Sequence, residues 1–472
     1  MNNIRRAIMK YLDYKKNKPF RQRMFDPAIF RGYDVRGRYP EQFDAATAYQ
    51  VALAYAAKFQ PQKVAVAQDV RPASAEVKAA IIRGLTESGV AVTDIGTTPT
   101  DVLYFTVGHY GFDGGMIASA SHNPPGYAGI KLTLANAEPL FADNGLLDIR
   151  DTIAAGPLAS PGQQGSITVQ DVTADYLDFI LSFVDVAKLK PTKIVANANF
   201  GANGGLLSKL NEKLGGLLTI VPLNYDPDGT FPKGRPDPMI IANRQELVTL
   251  TKSEQADFGV AWDGDGDRCF FCDNQGVFYE PCYPTALFAE RLLATHPGAT
   301  IIYDVRYARA ITAAVTEHGG TAMMGRVGHS YIKDQMRRQR ALFCGESSGH
   351  YYFADNWYAD NGMIPFLLMW EALSETAQSL SEILAPYTGR FFVSGEQNVT
   401  VADTPAVFGR LKVKYADAQI NELDGVTIEY PDWRVNVRTS NTEPLVRCNV
   451  EGTSAVIVAE KKAEVMKLVV GE

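Results

Sequence analysis

The feature that most constrains this chain is its rhythm: after residue 40, helical periods alternate with short apolar runs, most of which end in a loop rich in Gly, Ser, Asn or Asp. Such alternation belongs to βα units, in which helices cover the faces of a mostly parallel sheet. Strands are predicted at residues 90–95, 115–121, 193–199, 218–223, 257–262, 300–305 and 341–344. The helical signal is clearest over 74–89, where Ser74 can cap, Val77, Ile81 and Leu85 make one face, and Gly89 can end the helix. In open α/β sheets the strand-end loops are where ligands bind. Gly156, Pro157, Pro161, Gly162 and Gly165 mark a surface connector. Past residue 390 the runs 390–401, 426–437 and 445–450, with helices between and after, predict a smaller α+β domain. No short fixed period repeats, which disfavours solenoids and propellers.

With 472 residues, 46% of them apolar, the chain can bury several cores and has the length of about three or four domains. The longest apolar run, near Gly362 to Trp370, is short and contains Pro365, so no membrane span is predicted. Five cysteines make no disulfide framework, and a reducing, cytoplasmic setting is expected. Cys269 and Cys272 form a CxxC, but on a strand residues i and i+3 face opposite sides and cannot converge on a metal. Residues 1–24 hold Arg5, Arg6, Lys10, Lys15, Lys16, Lys18, Arg21 and Arg23 against one Asp, a charge of +7 in a chain of net −7, which leaves −14 on the remainder. An acidic body argues against a nucleic-acid partner. The basic head lacks a secretory apolar core, and although Ile4, Ile8 and Leu12 are spaced for an amphipathic turn, it reads as a solvated extension.

Four loops carry the chemistry. In Asp263-Gly264-Asp265-Gly266-Asp267-Arg268, three carboxylates at alternate positions can converge on one hard cation, Mg²⁺ or Ca²⁺. An EF-hand is excluded, since Arg268 and Asn274 stand where its Gly and Glu are required. The second loop, Ser119-Ala120-Ser121-His122-Asn123-Pro124-Pro125, follows a strand and precedes Lys131. Beside a cation site, a serine here can carry a phosphoryl group whose charge the metal and a Lys or Arg neutralise. Gly345-Glu346-Ser347-Ser348-Gly349-His350 offers a carboxylate, hydroxyls and an imidazole suited to vicinal sugar hydroxyls, or else a capped helix start. Arg438-Thr439-Ser440-Asn441-Thr442-Glu443-Pro444, followed by Arg447, has a phosphate-binding composition, with a structural turn as the alternative. His122, His329 and His350 fall in candidate loops, whereas His109, His296 and His318 do not.

Together with Arg31-Gly32-Tyr33-Asp34-Val35-Arg36-Gly37 and Val327-Gly328-His329, these loops identify a resemblance from about Ile29 to the C-terminus. The chain resembles the α-D-phosphohexomutase family, most closely its bacterial phosphomannomutase/phosphoglucomutase branch. The resemblance implies an α/β fold of four domains around a central cleft. Three would be related α/β mixed-sheet domains, followed by a C-terminal TATA-box-binding-protein-like α+β domain. The divisions expected are 1–24 for the basic extension, 25–165 for the serine loop, 166–277 for the metal loop, 278–388 for the sugar loop and 389–472 for the phosphate loop.

By the same resemblance, Ser121 would be the phosphoserine that gives and takes the phosphoryl group. Asp263, Asp265 and Asp267 would hold one Mg²⁺ together with a phosphoserine oxygen, and a hexose 1,6-bisphosphate would be intermediate and activator. Glu346, Ser348 and His350 would meet the sugar, and Arg438, Ser440, Asn441, Thr442 and Arg447 the phosphate not being transferred. Lys131 and Arg268 would be cations beside the serine, Lys131 or His329 the general acid/base, and Arg36 and Tyr33 supporting residues. Arg306, Arg326 and Gly328 would complete the substrate cleft. The implied reaction interconverts mannose 6-phosphate and mannose 1-phosphate, with glucose phosphates possible substrates. A phosphoglucosamine mutase, a strict phosphoglucomutase and, in another class, a metal-dependent sugar phosphatase are the alternatives. The expected partner is a hexose phosphate, the expected state a monomer or homodimer. Three departures from the family pattern stand out: Ser347 in the sugar loop, Ala67 opening Ala-Gln-Asp-Val-Arg, and Asn197.

Overall fold

The computed structural model describes residues 26–439 and 445–471, and its strands form four sheets in chain order. The first takes β1 (Val35–Arg38), β2 (Lys63–Gln68), β3 (Ala91–Thr97), β4 (Gly114–Ala118), β5 (Tyr127–Leu134) and β6 (Ile167–Val169) in the spatial order β1-β5-β4-β2-β3-β6. β2 runs parallel to β3 and β4, and β6 runs parallel to β3; β5 is antiparallel to both β4 and β1. Along β2, Val64 and Val66 enter one apolar cluster, while Ala65 and Ala67 enter another on the opposite face. A strand buried on both faces reads as a continuous apolar run, which is why alternation is weak here.

The second and third sheets repeat one plan. β7 (Thr192–Asn197), β8 (Leu218–Leu223), β9 (Phe258–Trp262) and β10 (Cys269–Asp273) lie in the order β10-β9-β7-β8. β11 (Thr300–Asp304), β12 (Thr321–Gly325), β13 (Phe343–Gly345) and β14 (Tyr351–Phe353) lie in the order β12-β11-β13-β14. In each, three parallel strands carry one antiparallel edge strand, β10 or β14, added by a short return. The fourth sheet is antiparallel throughout: β15 (Phe392–Val393), β16 (Gln397–Val399), β17 (Gln419–Asn421), β18 (Val426–Glu429), β19 (Trp433–Thr439) and β20 (Val446–Gly452). Its core joins Val435, Val437 and Val450 to Leu411 and Val465 of helices Thr404–Lys414 and Ala455–Val470. Three mixed α/β units followed by a distinct antiparallel one is the architecture the sequence implied.

The largest apolar cluster crosses the first three units, drawing on Phe105, Tyr176, Trp262, Phe288 and Trp370. The units therefore share a core. Cys269 and Cys272 sit in different apolar clusters, as their positions on one strand require.

Four differences from the sequence reading have physical causes. The second helix starts at Pro72, with Arg71 as its N-cap, so Ser74 is not the cap but turns its hydroxyl to Asp69. Proline has no N–H to leave unpaired and a preset φ, so it takes the first helical position. β6 pairs with the first sheet although it lies beyond the connector. The run 390–401 breaks into β15 and β16 around Gly395, whose φ of +68° bends the chain. The run 426–437 folds into the β18–β19 hairpin closed by Tyr430 and Trp433. The basic extension and Ser440, Asn441 and Thr442 lie outside the described residues.

Candidate active site

The loops after β4 and β9 meet face to face. The Asp263–Arg268 segment is a tight return, with Trp262 opposite Cys269 across the β9–β10 pair. Gly264 is required at its tip, because a Cβ there would stand 2.9 Å from the Ser121 carbonyl oxygen. Ser121 itself has a φ of +47°, a left-handed conformation that costs a non-glycine residue free energy and marks a held side chain. Its hydroxyl donates to Asp263 Oδ2 at 2.9 Å and lies 3.1 Å from His122 Nδ1. Arg268 reaches the same His122 nitrogen at 2.8 Å and stands 3.6 Å from Asp263. Burial and the Arg268 charge hold His122 well below its usual range, so the ring is neutral.

Lys131, on β5, donates to Asp265 at 2.7 Å and Asp267 at 2.5 Å, and all three are buried. Although burial disfavours its charge, the two carboxylates hold the ammonium well above its ordinary pKa. Lys131 thereby ties β5 to the metal loop through two ion pairs. Asp265 also accepts from Thr100 Oγ1 at 2.6 Å and Ser119 Oγ at 3.0 Å, tying the metal loop to the first unit. Behind the loop, Gly362 donates to Asp101 and accepts from Trp262 Nε1. A Cβ on Gly362 would lie 2.1 Å from the Gly266 carbonyl oxygen.

The donor set fits a hard divalent cation. Oxygen atoms of Asp263, Asp265 and Asp267 lie within 4.8 Å of one another, and Asp265 Oδ1 is buried without a hydrogen-bond partner among the described residues. Burial and the two neighbouring carboxylates push Asp263 up to about 8, the mark of a site with surplus negative charge.

The sugar-loop residues converge on the same centre. His350 Nε2 lies 3.4 Å from Asp267, and its Nδ1 lies 3.2 Å from Glu346 and 2.8 Å from Ser348 Oγ. Burial favours a neutral ring, but Asp267 and Glu346 prevail and push His350 up to about 9. Glu346 also accepts from Arg306 at 3.1 Å and Tyr352 at 2.8 Å. Despite burial, His350 and Arg306 keep its carboxyl ionised.

His329, the first residue of helix His329–Gln339, packs edge-on to Tyr33 with centroids 4.7 Å apart and lies 6.3 Å from the His350 ring. Burial, then Lys333, holds it well below its usual pKa, and its Nε2 has no hydrogen-bond partner among the described residues. Gly328, at φ +130°, lets the chain pass Tyr33 closely. Arg36 pairs with Asp34 and donates to Asn123 at 2.6 Å, bracing the serine loop. On the fourth sheet Arg438 stands opposite Arg447 across β19–β20, with Glu396 4.0 Å from the first and 3.0 Å from the second. Burial and the facing Arg306 make Arg438 less favourably charged, as in a site for an anion. Arg326 instead stacks on Tyr331 at the exposed rim, 4.6 Å from the ring centroid.

Sequence reasoning missed several functional partners. Arg71 donates to the carbonyls of Ser121 and Asn123, both at 2.6 Å, and to that of Pro124 at 3.0 Å. Asp304, Thr100 and Lys333, which pairs with the buried Asp360 at 2.7 Å, also escaped notice. Asp304-x-Arg306 after a strand, and Lys333 one helical turn beyond His329, were the available signals.

Four family domains match in order: "Phosphoglucomutase/phosphomannomutase, alpha/beta/alpha" domain I at residues 27–156, domain II at 174–276 and domain III at 283–390, then the "C-terminal domain" at 396–468. A phosphomannomutase of Escherichia coli is 39% identical over 443 residues, covering 92% of this chain and 97% of the relative. A protein named phosphohexose mutases from Xanthomonas campestris is 38% identical over 437 residues, covering 92% and 97%. A solved phosphoglucomutase/phosphomannomutase family protein of Burkholderia thailandensis superposes with a TM-score of 0.83 at 32% identity, covering 94% of this chain and 98% of that one. With all four domains matched in sequence and the loops of the first three meeting at one buried centre, this chain belongs to the phosphoglucomutase/phosphomannomutase family.

Proposed function

We propose that the protein is a Mg²⁺-dependent mutase that interconverts mannose 6-phosphate and mannose 1-phosphate, accepting glucose phosphates as well, in the cytoplasm. The observation that carries this reading is the Ser121 hydroxyl 2.9 Å from Asp263, within a loop set that also presents Lys131 and Arg268. The names of its relatives give mannose precedence.

Asp263, Asp265 and Asp267 are the residues that would hold Mg²⁺, with an oxygen of phosphorylated Ser121. When bound, the cation neutralises the charge of the phosphoryl group in flight. The protein's own residues do the rest. Lys131 fixes two of the three carboxylates, and Arg268 and His122 flank the serine oxygen. The serine P–O bond breaks as the free hydroxyl of the hexose phosphate bonds to phosphorus, giving a bound 1,6-bisphosphate. His329, neutral and with Nε2 free of partners among the described residues, takes the hydroxyl proton. After the bisphosphate turns over, Ser121 accepts the other phosphoryl group and the proton returns to the product oxygen. Glu346, Ser348 and His350 orient the sugar, while Arg306, Arg438 and Arg447, joined by Ser440, Asn441 and Thr442, grip the idle phosphate. Positioning and charge neutralisation carry the catalysis.

The test is turnover of mannose 1-phosphate and glucose 1-phosphate side by side, with Mg²⁺ and a trace of hexose 1,6-bisphosphate. Isomerisation of mannose 1-phosphate is expected. Inertness toward both sugars would overturn the substrate assignment, and inorganic phosphate released with no isomer would instead make the protein a phosphatase.

A further inference from the structure

The third sheet contains a buried carboxylate that the reaction does not use. Asp304 ends β11, and the parallel register pairing Tyr303 with Gly345 brings it beside the start of the sugar loop. Its side chain is buried and accepts five hydrogen bonds, which saturates a carboxylate. Oδ1 receives Arg306 N at 2.7 Å, Arg306 Nε at 3.1 Å and Ser347 Oγ at 3.2 Å. Oδ2 receives Arg306 Nη2 at 2.8 Å and Ser347 N at 2.6 Å. The same Arg306 nitrogen continues to Glu346 Oε1 at 3.1 Å.

Two consequences follow from this geometry. The direction of the Glu346 carboxylate is set by a guanidinium that Asp304 holds in a planar, two-point grip. Ser347, although it occupies the middle of the sugar loop, turns its hydroxyl down to Asp304 and is itself buried. The neighbouring Ser348 instead turns toward His350.

We propose that Asp304 is the positioning residue of the sugar loop, acting through Arg306 and Ser347, and that Ser347 fixes the loop's height without reading the sugar. Discrimination between hexoses then lies with Glu346, Ser348 and His350. The proposal rests on the reading of Glu346 as a sugar ligand. Arg434 supports the same segment from the fourth sheet, donating to the carbonyls of Val305 at 2.6 Å and Arg306 at 3.3 Å, so the clasp is braced from both sides.

Two variants of the full chain test it, each assayed with mannose 1-phosphate and glucose 1-phosphate beside the wild type. Asp304→Asn removes the charge and faces the Ser347 and Arg306 donors with an amide that cannot accept from all of them. On the order of a tenfold rise in KM for both sugars is expected, with kcat falling less. Phosphorylation of Ser121 by hexose 1,6-bisphosphate, read by mass spectrometry, should persist, which a general collapse of the fold would not allow. Ser347→Ala should raise both KM values by the same small factor and leave the ratio of the two kcat/KM values where it was. That ratio decides the matter even where Asp304→Asn fails to fold. A change of about fivefold or more in the ratio for Ser347→Ala would overturn the proposal. So would wild-type KM values in folded Asp304→Asn. A wild type inert toward both sugars would overturn the functional reading itself, and the inference with it.

Discussion

Arg71 holds Ser121 by its backbone: the guanidinium donates to the Ser121 carbonyl oxygen at 2.6 Å and is itself paired, at 3.3 Å, with the buried Asp69. The left-handed turn of the serine is thus pinned from behind, while its hydroxyl faces the aspartates. Arg71→Met removes the pin and strands the Asp69 charge. A loss of about 3–5 kcal/mol of stability is expected from breaking such a buried pair, with kcat falling more than KM changes. Calorimetric unfolding and steady-state kinetics on the same preparation check both.

Ser121→Ala keeps the backbone requirement unchanged, since alanine meets the same strain at φ +47°. Turnover should vanish and stability move by about 1 kcal/mol or less, the worth of one hydrogen bond. Intact-mass spectrometry should find no phosphoryl adduct on the variant after incubation with hexose 1,6-bisphosphate. Retained turnover would remove Ser121 from its role.

Cation binding should depend on pH with a defined sign. Asp263 has been pushed up to about 8, so at lower pH a cation must displace its proton. Mg²⁺ affinity is expected to rise by about tenfold per pH unit between about pH 6 and pH 8 and to level off above. Titration calorimetry in buffers of different ionisation enthalpy should count about one proton released. The metal-free protein should lose stability over the same range, because a carboxyl whose folded pKa is raised favours the fold most below its unfolded value and loses that contribution as pH rises through the folded one.

His350 behaves as a cation locked by acids. With its pKa raised from 6.5 to about 9, its contribution is complete below 6.5 and disappears as pH climbs through 9. In chelator-treated protein, urea unfolding should show stability declining across that window by up to about 3 kcal/mol. His350→Asn, less stable at neutral pH, should show a flatter profile. An equally steep profile would place the titrating group elsewhere.

Gly362→Ala would thrust a methyl group against the Gly266 carbonyl, 2.1 Å from its ideal position. The metal loop must shift, at a cost of about 1–3 kcal/mol. Weaker Mg²⁺ binding in titration calorimetry should accompany the lower melting temperature, although residue 362 is not a ligand.

What the sequence disclosed followed from local chemistry. Strand ends could be found because apolar runs stop abruptly at Gly, Ser and Asp, and the three aspartates at 263, 265 and 267 announce a cation by spacing alone. The antiparallel strands β5, inside the first sheet, and β14, at the edge of the third, were not recognised, because each follows a functional loop whose polar residues mask the strand beginning. Ser74 was mistaken for a cap because the true first turn is set by Pro72, and its hydroxyl had a nearer partner in Asp69. Arg71, Asp304 and Thr100 were invisible as functional residues for one reason: each acts across a gap of 43 to 165 positions that only the folded chain closes. Such partners are read from register and topology, as the pairing of Tyr303 with Gly345 illustrates.

The distribution of these loops over separate sheets has an evolutionary consequence. Ser121 and the aspartates belong to the first two units, whereas Glu346 and Ser348 come from the third and Arg438 and Arg447 from the fourth. A lineage can therefore alter its diet by drift in the loops of the third and fourth units while the serine and aspartate loops of the first two are inherited intact.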